Sequence, residues 1–397
     1  MRNKHFILLI LLILLLDACS PKSQLYIQMG VPKEILSKKN DSVIRIFFDR
    51  NGCIYPDVKN VKSFDDGVKE NNSLIWKYYE NQRETYRQIC ENERITPNNS
   101  IVLDGENDPL QAKLISNYIG RINEASLGKK LVFIVHGYNS HPTLGADGGS
   151  SSFYDNTRKI LTASQGAKNI QFVEIYWNGL SKEGGGSNVI SKLLNSSRIW
   201  KNAQASAGFA AIELRRIFSG LKVQDVFIIT HSHGAAVVTN ALFNVRKVIP
   251  KAPWEFNFLA KYQKSIYASP TQQFHVAMLA PAIPGMNVFD EYCCRTVGDA
   301  EVCLSERNLH FIVGFNRHDP VTTKFGAGSA KAGSTTLAAR PRELARVREY
   351  FNYDNAVIES VDFSRTLKGD KQKSHDSKDY LANPNLKDFM EKLFGQK

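Results

Sequence analysis

The segment Asp225-Val226-Phe227-Ile228-Ile229-Thr230 runs into His231-Ser232-His233-Gly234 and then Ala235-Ala236-Val237-Val238-Thr239-Asn240-Ala241-Leu242. An apolar β-branched run, a short polar turn and a small-residue helix pattern follow one another there, which predicts a buried strand, a tight turn and a helix. Ser232 is thereby placed near a helix N-terminus, whose unpaired N–H groups and dipole favour the negative charge that develops in acyl transfer. A serine hydroxyl is a weak nucleophile until an imidazole takes its proton. The plain alternative is a serine that only caps the helix.

The strand-turn-helix resembles the nucleophile elbow of the α/β-hydrolase superfamily, in which small residues two before and two after the serine let strand and helix approach closely. Gly234 fits that pattern and Thr230 departs from it, standing where a glycine is usual. Upstream, Leu131 to Val135 ends in His136-Gly137-Tyr138-Asn139, similar to the His-Gly loop after the third strand of that superfamily. The resemblance implies an oxyanion hole made by the backbone N–H groups of Tyr138 and His233, with Gly137 allowing close approach and the His136 side chain bonded behind the loop. It also implies the chain order serine, acid, histidine. Asp319, in Asn316-Arg317-His318-Asp319-Pro320-Val321 after the run 309–315, is the expected acid, with Asp290 as the alternative; Asp319 can also cap a helix that starts with Pro320. Only one of the nine histidines lies downstream of Asp319, His375 in Lys373-Ser374-His375-Asp376-Ser377, and it is the expected base. A competing idea joins His136, His231 and His233 around zinc, but successive turn side chains diverge and no nearby carboxylate completes a pattern. Neither a metal nor an organic cofactor is expected.

These residues need a scaffold, and the chain alternates short apolar runs with helical ones. Strands are predicted over 43–48, 131–135, 170–176, 226–230, 274–279, 309–315 and 356–361, and Asn51-Gly52 before Cys53-Ile54-Tyr55 signals a hairpin. Helices are predicted over 73–90, 110–127, 154–162, 198–218, 235–248, 340–351 and 386–393. That alternation indicates an α/β fold of the α/β-hydrolase kind, with a mostly parallel sheet covered by helices on both faces. Glycine- and serine-rich loops are expected at 145–152, 184–187 and 326–334, and the aromatic segment 176–200 could form a lid, or Trp177 and Trp200 could pack into the core.

At the N-terminus Arg2 and Lys4 precede an apolar run from Phe6 to Leu16, too short to span a membrane and suited to a signal peptide. Leu16-Asp17-Ala18-Cys19 resembles a bacterial lipobox, which implies lipidation of Cys19. The expected organisation is a signal peptide (1–18), a lipid-anchored tether (19–40), an extension joined to the sheet (41–129) and a catalytic core (130–397). Export, a membrane anchor and an outer-membrane address follow as expectations. Cys53, Cys90, Cys293, Cys294 and Cys303 remain for an oxidising compartment, where the reading pairs Cys53 with Cys90 and Cys303 with Cys293 or Cys294, spacing leaving the connectivity open. With 43% hydrophobic and 23% charged residues a large core is available, so global disorder is excluded. The net charge of +12 is dispersed along the chain, without the dense basic run that nucleic acid would need. The expected partner is an acyl ester or lipid. The expected function is hydrolysis of a carboxylic ester through an acyl-enzyme at the cell envelope; a phospholipase effector, thioesterase or peptidase with the same residues, or a non-catalytic surface lipoprotein, are the alternatives.

Overall fold

A computed structural model describes residues 43–56, 75–99, 109–138, 150–179, 189–243, 272–285, 294–297, 300–303, 309–323, 335–354, 357–364 and 374–395. Seven strands form one sheet: β1 (Val43–Phe47), β2 (Lys130–Val135), β3 (Ile170–Tyr176), β4 (Asp225–His231), β5 (Gln273–Leu279), β8 (Leu309–Phe315) and β9 (Val357–Asp362). Their spatial order is β1-β3-β2-β4-β5-β8-β9, and every neighbouring pair is parallel. A two-stranded antiparallel ribbon, β6 (Cys294–Val297) with β7 (Ala300–Cys303), stands apart. The helices are α1 (Ile75–Asn81), α2 (Arg83–Asn92), α3 (Pro109–Ala125), α4 (Ser150–Gln165), α5 (Val189–Ser219), α6 (Gly234–Leu242), α7 (Pro341–Asp354), α8 (Ser377–Leu381) and α9 (Leu386–Phe394).

Successive side chains of a strand point to opposite faces. Leu131, Val132, Phe133, Ile134 and Val135 of β2 are all fully buried, so both faces of the sheet are covered there. A continuous apolar run is what such a strand needs, which is why β2 and β4 were legible without alternation. From β2 the chain moves to β3 on one side and later to β4 on the other. The order of strands therefore reverses between β2 and β4, and the crevice at their carboxyl ends is where an open parallel sheet binds ligands.

Several expectations are corrected. The seven strands are wholly parallel rather than mostly so. The helix predicted over 73–90 is two helices, broken at Gln82, whose φ −116, ψ 63 is not helical. The turn after β1 returns through a single bridge, Phe48 to Ile54, instead of a second strand. It is closed by Asp49, whose Oδ1 accepts from the N–H of Asn51 (2.8 Å) and Cys53 (2.9 Å) while Oδ2 accepts from that of Ile75 (2.8 Å). Gly52 there has φ +79, and a Cβ would lie 2.5 Å from the Phe209 carbonyl oxygen, so this turn sits directly on α5. Cys53 and Cys90 are both buried thiols, not the expected bridge; Tyr79 is buried beside them. Helix α6 stops at Leu242 because Phe243 is extended and the buried Arg215 of α5 donates to the Ala241 (2.9 Å), Asn240 (2.6 Å) and Phe243 carbonyls, a cation on the helix's negative end. Helix α5 begins at Val189, inside the segment read as a lid, and the β6–β7 ribbon was not anticipated.

Cys19 and the proposed leader and tether, Asp290, Cys293, and the loops at 184–187 and 326–334 lie outside the described residues. No helix among the described residues is long and apolar enough to cross a membrane.

Candidate active site

Ser232 stands between the end of β4 and the start of α6 with φ 54, a left-handed conformation that L-residues rarely adopt. The surroundings fix it: its N–H donates to the Leu279 carbonyl (2.9 Å), and its own carbonyl accepts from Ala282 (3.1 Å) and Ala235 (3.2 Å). Two glycines make room for this turn. A Cβ on Gly234 would lie 2.4 Å from the His136 carbonyl oxygen, and one on Gly137 would lie 2.8 Å from the Ser232 Cβ. The end of β2 therefore presses against both the turn and the first residue of α6. The departure at Thr230 is accommodated as a buried β4 residue in register with Val135 and Met278.

The structure brings Ser232, His375 and Asp319 into one row. His375 Nε2 is 2.7 Å from Ser232 Oγ, and His375 Nδ1 is 2.6 Å from Asp319 Oδ2. A carboxylate can only accept, so Nδ1 carries the hydrogen and Nε2 is the free base that faces the serine hydroxyl. Asp319 has no solvent exposure. Its Oδ1 accepts from the N–H groups of Val321 (2.9 Å) and Thr322 (3.2 Å), so it caps the turn after Pro320 as well as orienting the imidazole. Its Oδ2 also accepts from the hydroxyl of Tyr380 at 2.8 Å.

The other three histidines of the region are neutral. His231 donates Nε2–H to the His375 carbonyl at 3.0 Å; burial, helped by the nearby His375, pushes it down to about 3. His136 donates Nδ1–H to the Gly137 carbonyl (2.8 Å) and accepts from the Trp177 N–H (3.3 Å), and burial lowers it to about 4. His233 donates Nδ1–H to the Ala282 carbonyl (3.1 Å) and is held down to about 4 by burial. Each ring is thus committed to a different backbone carbonyl, and among the described residues no metal-holding group of three side chains converges.

Trp177 is buried, stacked on His136 at 5.5 Å, with its indole N–H donating to the His136 carbonyl at 2.8 Å; it is core behind the His-Gly loop. Trp200 of α5 is half-buried, 4.4 Å from the His233 ring and edge-on to Tyr138 at 5.2 Å. The backbone N–H groups of Tyr138 and His233 donate to no described residue. Sequence reasoning missed Tyr380 and the anchoring role of His231. Tyr380 lies five residues after His375 in a helix of five residues, too short for periodicity to register, and nothing local to His231 reveals that its partner is 144 residues away.

No family model, curated protein or solved structure matches this chain.

Proposed function

We propose that the chain is a serine hydrolase of the α/β-hydrolase type that cleaves a carboxylic ester through an acyl-enzyme. The observation that carries this reading is the row Asp319–His375–Ser232, with contacts of 2.6 and 2.7 Å, seated on a left-handed serine at the carboxyl end of a parallel sheet. In the reaction Ser232 Oγ attacks the ester carbonyl as His375 Nε2 takes its proton, and the imidazolium is stabilised by Asp319. The tetrahedral oxyanion is bound by the N–H groups of Tyr138 and His233. Collapse expels the alcohol, which receives the proton from His375, and water repeats the sequence to release the acid.

The half-exposed rings of Tyr138 and Trp200 beside the serine supply an apolar wall suited to an acyl chain. A signal peptide, lipidation at Cys19 and an outer-membrane address are part of the same proposal and make an envelope lipid ester the natural substrate class. A fluorophosphonate probe should label the protein covalently, and Ser232→Ala should abolish labelling and lower ester turnover by about 10⁶-fold. A chain that stays unlabelled, or an alanine variant that labels equally, would leave the fold as a binding module. Rates on p-nitrophenyl esters, thioesters, peptides and phospholipids rank the substrate classes that this row of residues can serve.

A further inference from the structure

The amino-terminal ends of β4, β5, β8 and β9 lie at the opposite end of the sheet from Ser232 and carry a second polar row. His275 of β5 and His310 of β8 are register partners, and their Nδ1 atoms are 3.4 Å apart. Each outer nitrogen meets a carboxylate: His275 Nε2 is 3.1 Å from Asp225 Oδ1, and His310 Nε2 is 2.9 Å from Glu359 Oε2. Lys392 of α9 holds the other oxygen of Glu359 at 2.7 Å, and Phe227 stacks on the His275 ring at 4.9 Å. Both histidine side chains keep 20% exposure, so the row is reachable from solvent.

The hydrogens do not suffice for this row. Carboxylate oxygens only accept, so each Nε2 must carry a hydrogen to make its contact, and a neutral imidazole has only one. Both Nδ1 atoms then aim lone pairs at each other. Three contacts in the sequence Asp225, His275, His310, Glu359 need three hydrogens, and two neutral rings supply two. Moving a tautomer only transfers the unmatched contact to a carboxylate.

We propose that His275 and His310 form a binding site for one divalent transition-metal ion of the zinc class, held between their two Nδ1 atoms. Two nitrogens at the usual zinc distance of about 2.0–2.1 Å on a tetrahedral ion lie about 3.4 Å apart, which is the spacing observed. Each ring already has a carboxylate behind it, the arrangement that fixes tautomer and orientation in metal-bound histidines. Among the described residues no third His, Cys, Asp or Glu converges, so water completes the coordination and the site is weaker than a four-ligand one. From His310 to the far end of β8 is about 17 Å at the usual rise per residue, so the ion acts on the fold rather than on the chemistry at Ser232. It ties β5 to β8, with β4, β9 and α9 braced behind the two rings.

The test is calorimetric titration of the untagged, chelator-treated protein with zinc chloride at pH 7.5, together with its thermal midpoint with and without zinc. One ion per chain is expected, with a rise in midpoint. His275→Gln and His310→Gln should each weaken binding by at least about tenfold and remove the rise, with fluorophosphonate labelling unchanged. Asp225→Asn and Glu359→Gln, which leave both Nδ1 atoms in place, should weaken zinc by about 10–100-fold, and they serve if a histidine variant fails to fold. Absence of zinc uptake by the wild type, as when the gap holds a shared proton instead, overturns the proposal. So does zinc uptake by the histidine variants that equals that of the wild type.

Discussion

Tyr380 places its hydroxyl on the same Asp319 oxygen that holds His375 Nδ1, at 2.8 Å against 2.6 Å. Together with the N–H groups of Val321 and Thr322, this gives a fully buried carboxylate four donors. A phenol that shares Oδ2 draws negative charge away from the imidazole. Removing it takes away one of the two hydrogen bonds on Oδ2 and loosens the carboxylate that orients the imidazole. Tyr380→Phe is therefore expected to lower kcat by about tenfold, as loss of one hydrogen bond to a charged group implies. A variant that keeps the wild-type kcat would show the tyrosine to be packing alone. Asp319→Asn, by contrast, should cost about 10⁴-fold, because it presents the wrong tautomer to Ser232.

Elements show what can be read in advance and what cannot. Strands β3 and β8 were legible to the residue because their apolar residues fill most of both faces, with Gln171, Glu174 and His310 as the polar exceptions, and Ser232 was legible because its turn needs Gly234 in local sequence. The acid and base could be assigned only by their order along the chain; that His375 reaches Ser232 depends on a contact 143 residues long, anchored by His231 and Tyr380, which no local pattern encodes. The break at Gln82 and the end of α6 are likewise set from outside, the latter by Arg215. The backbone register of the β6–β7 ribbon bears on one choice that spacing left open. Its register sets Cys294 opposite Cys303. Directly opposed residues of an antiparallel pair have Cα atoms about 4.5–5.5 Å apart, inside the range that a disulfide spans. Peptide mapping of the protein folded under oxidising conditions should find Cys294 joined to Cys303; a Cys293–Cys303 peptide would contradict the register.

At the scale of the whole molecule, two sets of buried groups pull the pH dependence of stability in opposite directions. His136, His231 and His233 are pushed by burial to about 4, 3 and 4, below the ordinary value of about 6.5. As pH falls from about 6.5 towards 4 the unfolded chain binds three protons that the folded one refuses, so these groups weaken the fold on the acid side. Asp49 and Glu213 are raised by burial to about 7, against the N–H donors of Asp49 and the Arg216 partner of Glu213. Their stabilising contribution is complete below the ordinary carboxylate range and is lost as pH rises through about 7. Near pH 5 the unfolded state thus binds about one proton more than the folded state, and stability should fall towards acid by about 1.4 kcal/mol per pH unit. Above pH 7 only the carboxylate effect remains, and a shallow decline is expected. Urea unfolding should accordingly place maximal stability between about pH 6 and 7. Glu213→Gln removes one of the two opposing carboxylates, so it should steepen the acid side and move the maximum to higher pH. A wild type as stable at pH 5 as at pH 6.5 would mean that the three histidines take up protons without opening the fold, and the neutral, backbone-bonded state assigned to them around Ser232 would be wrong.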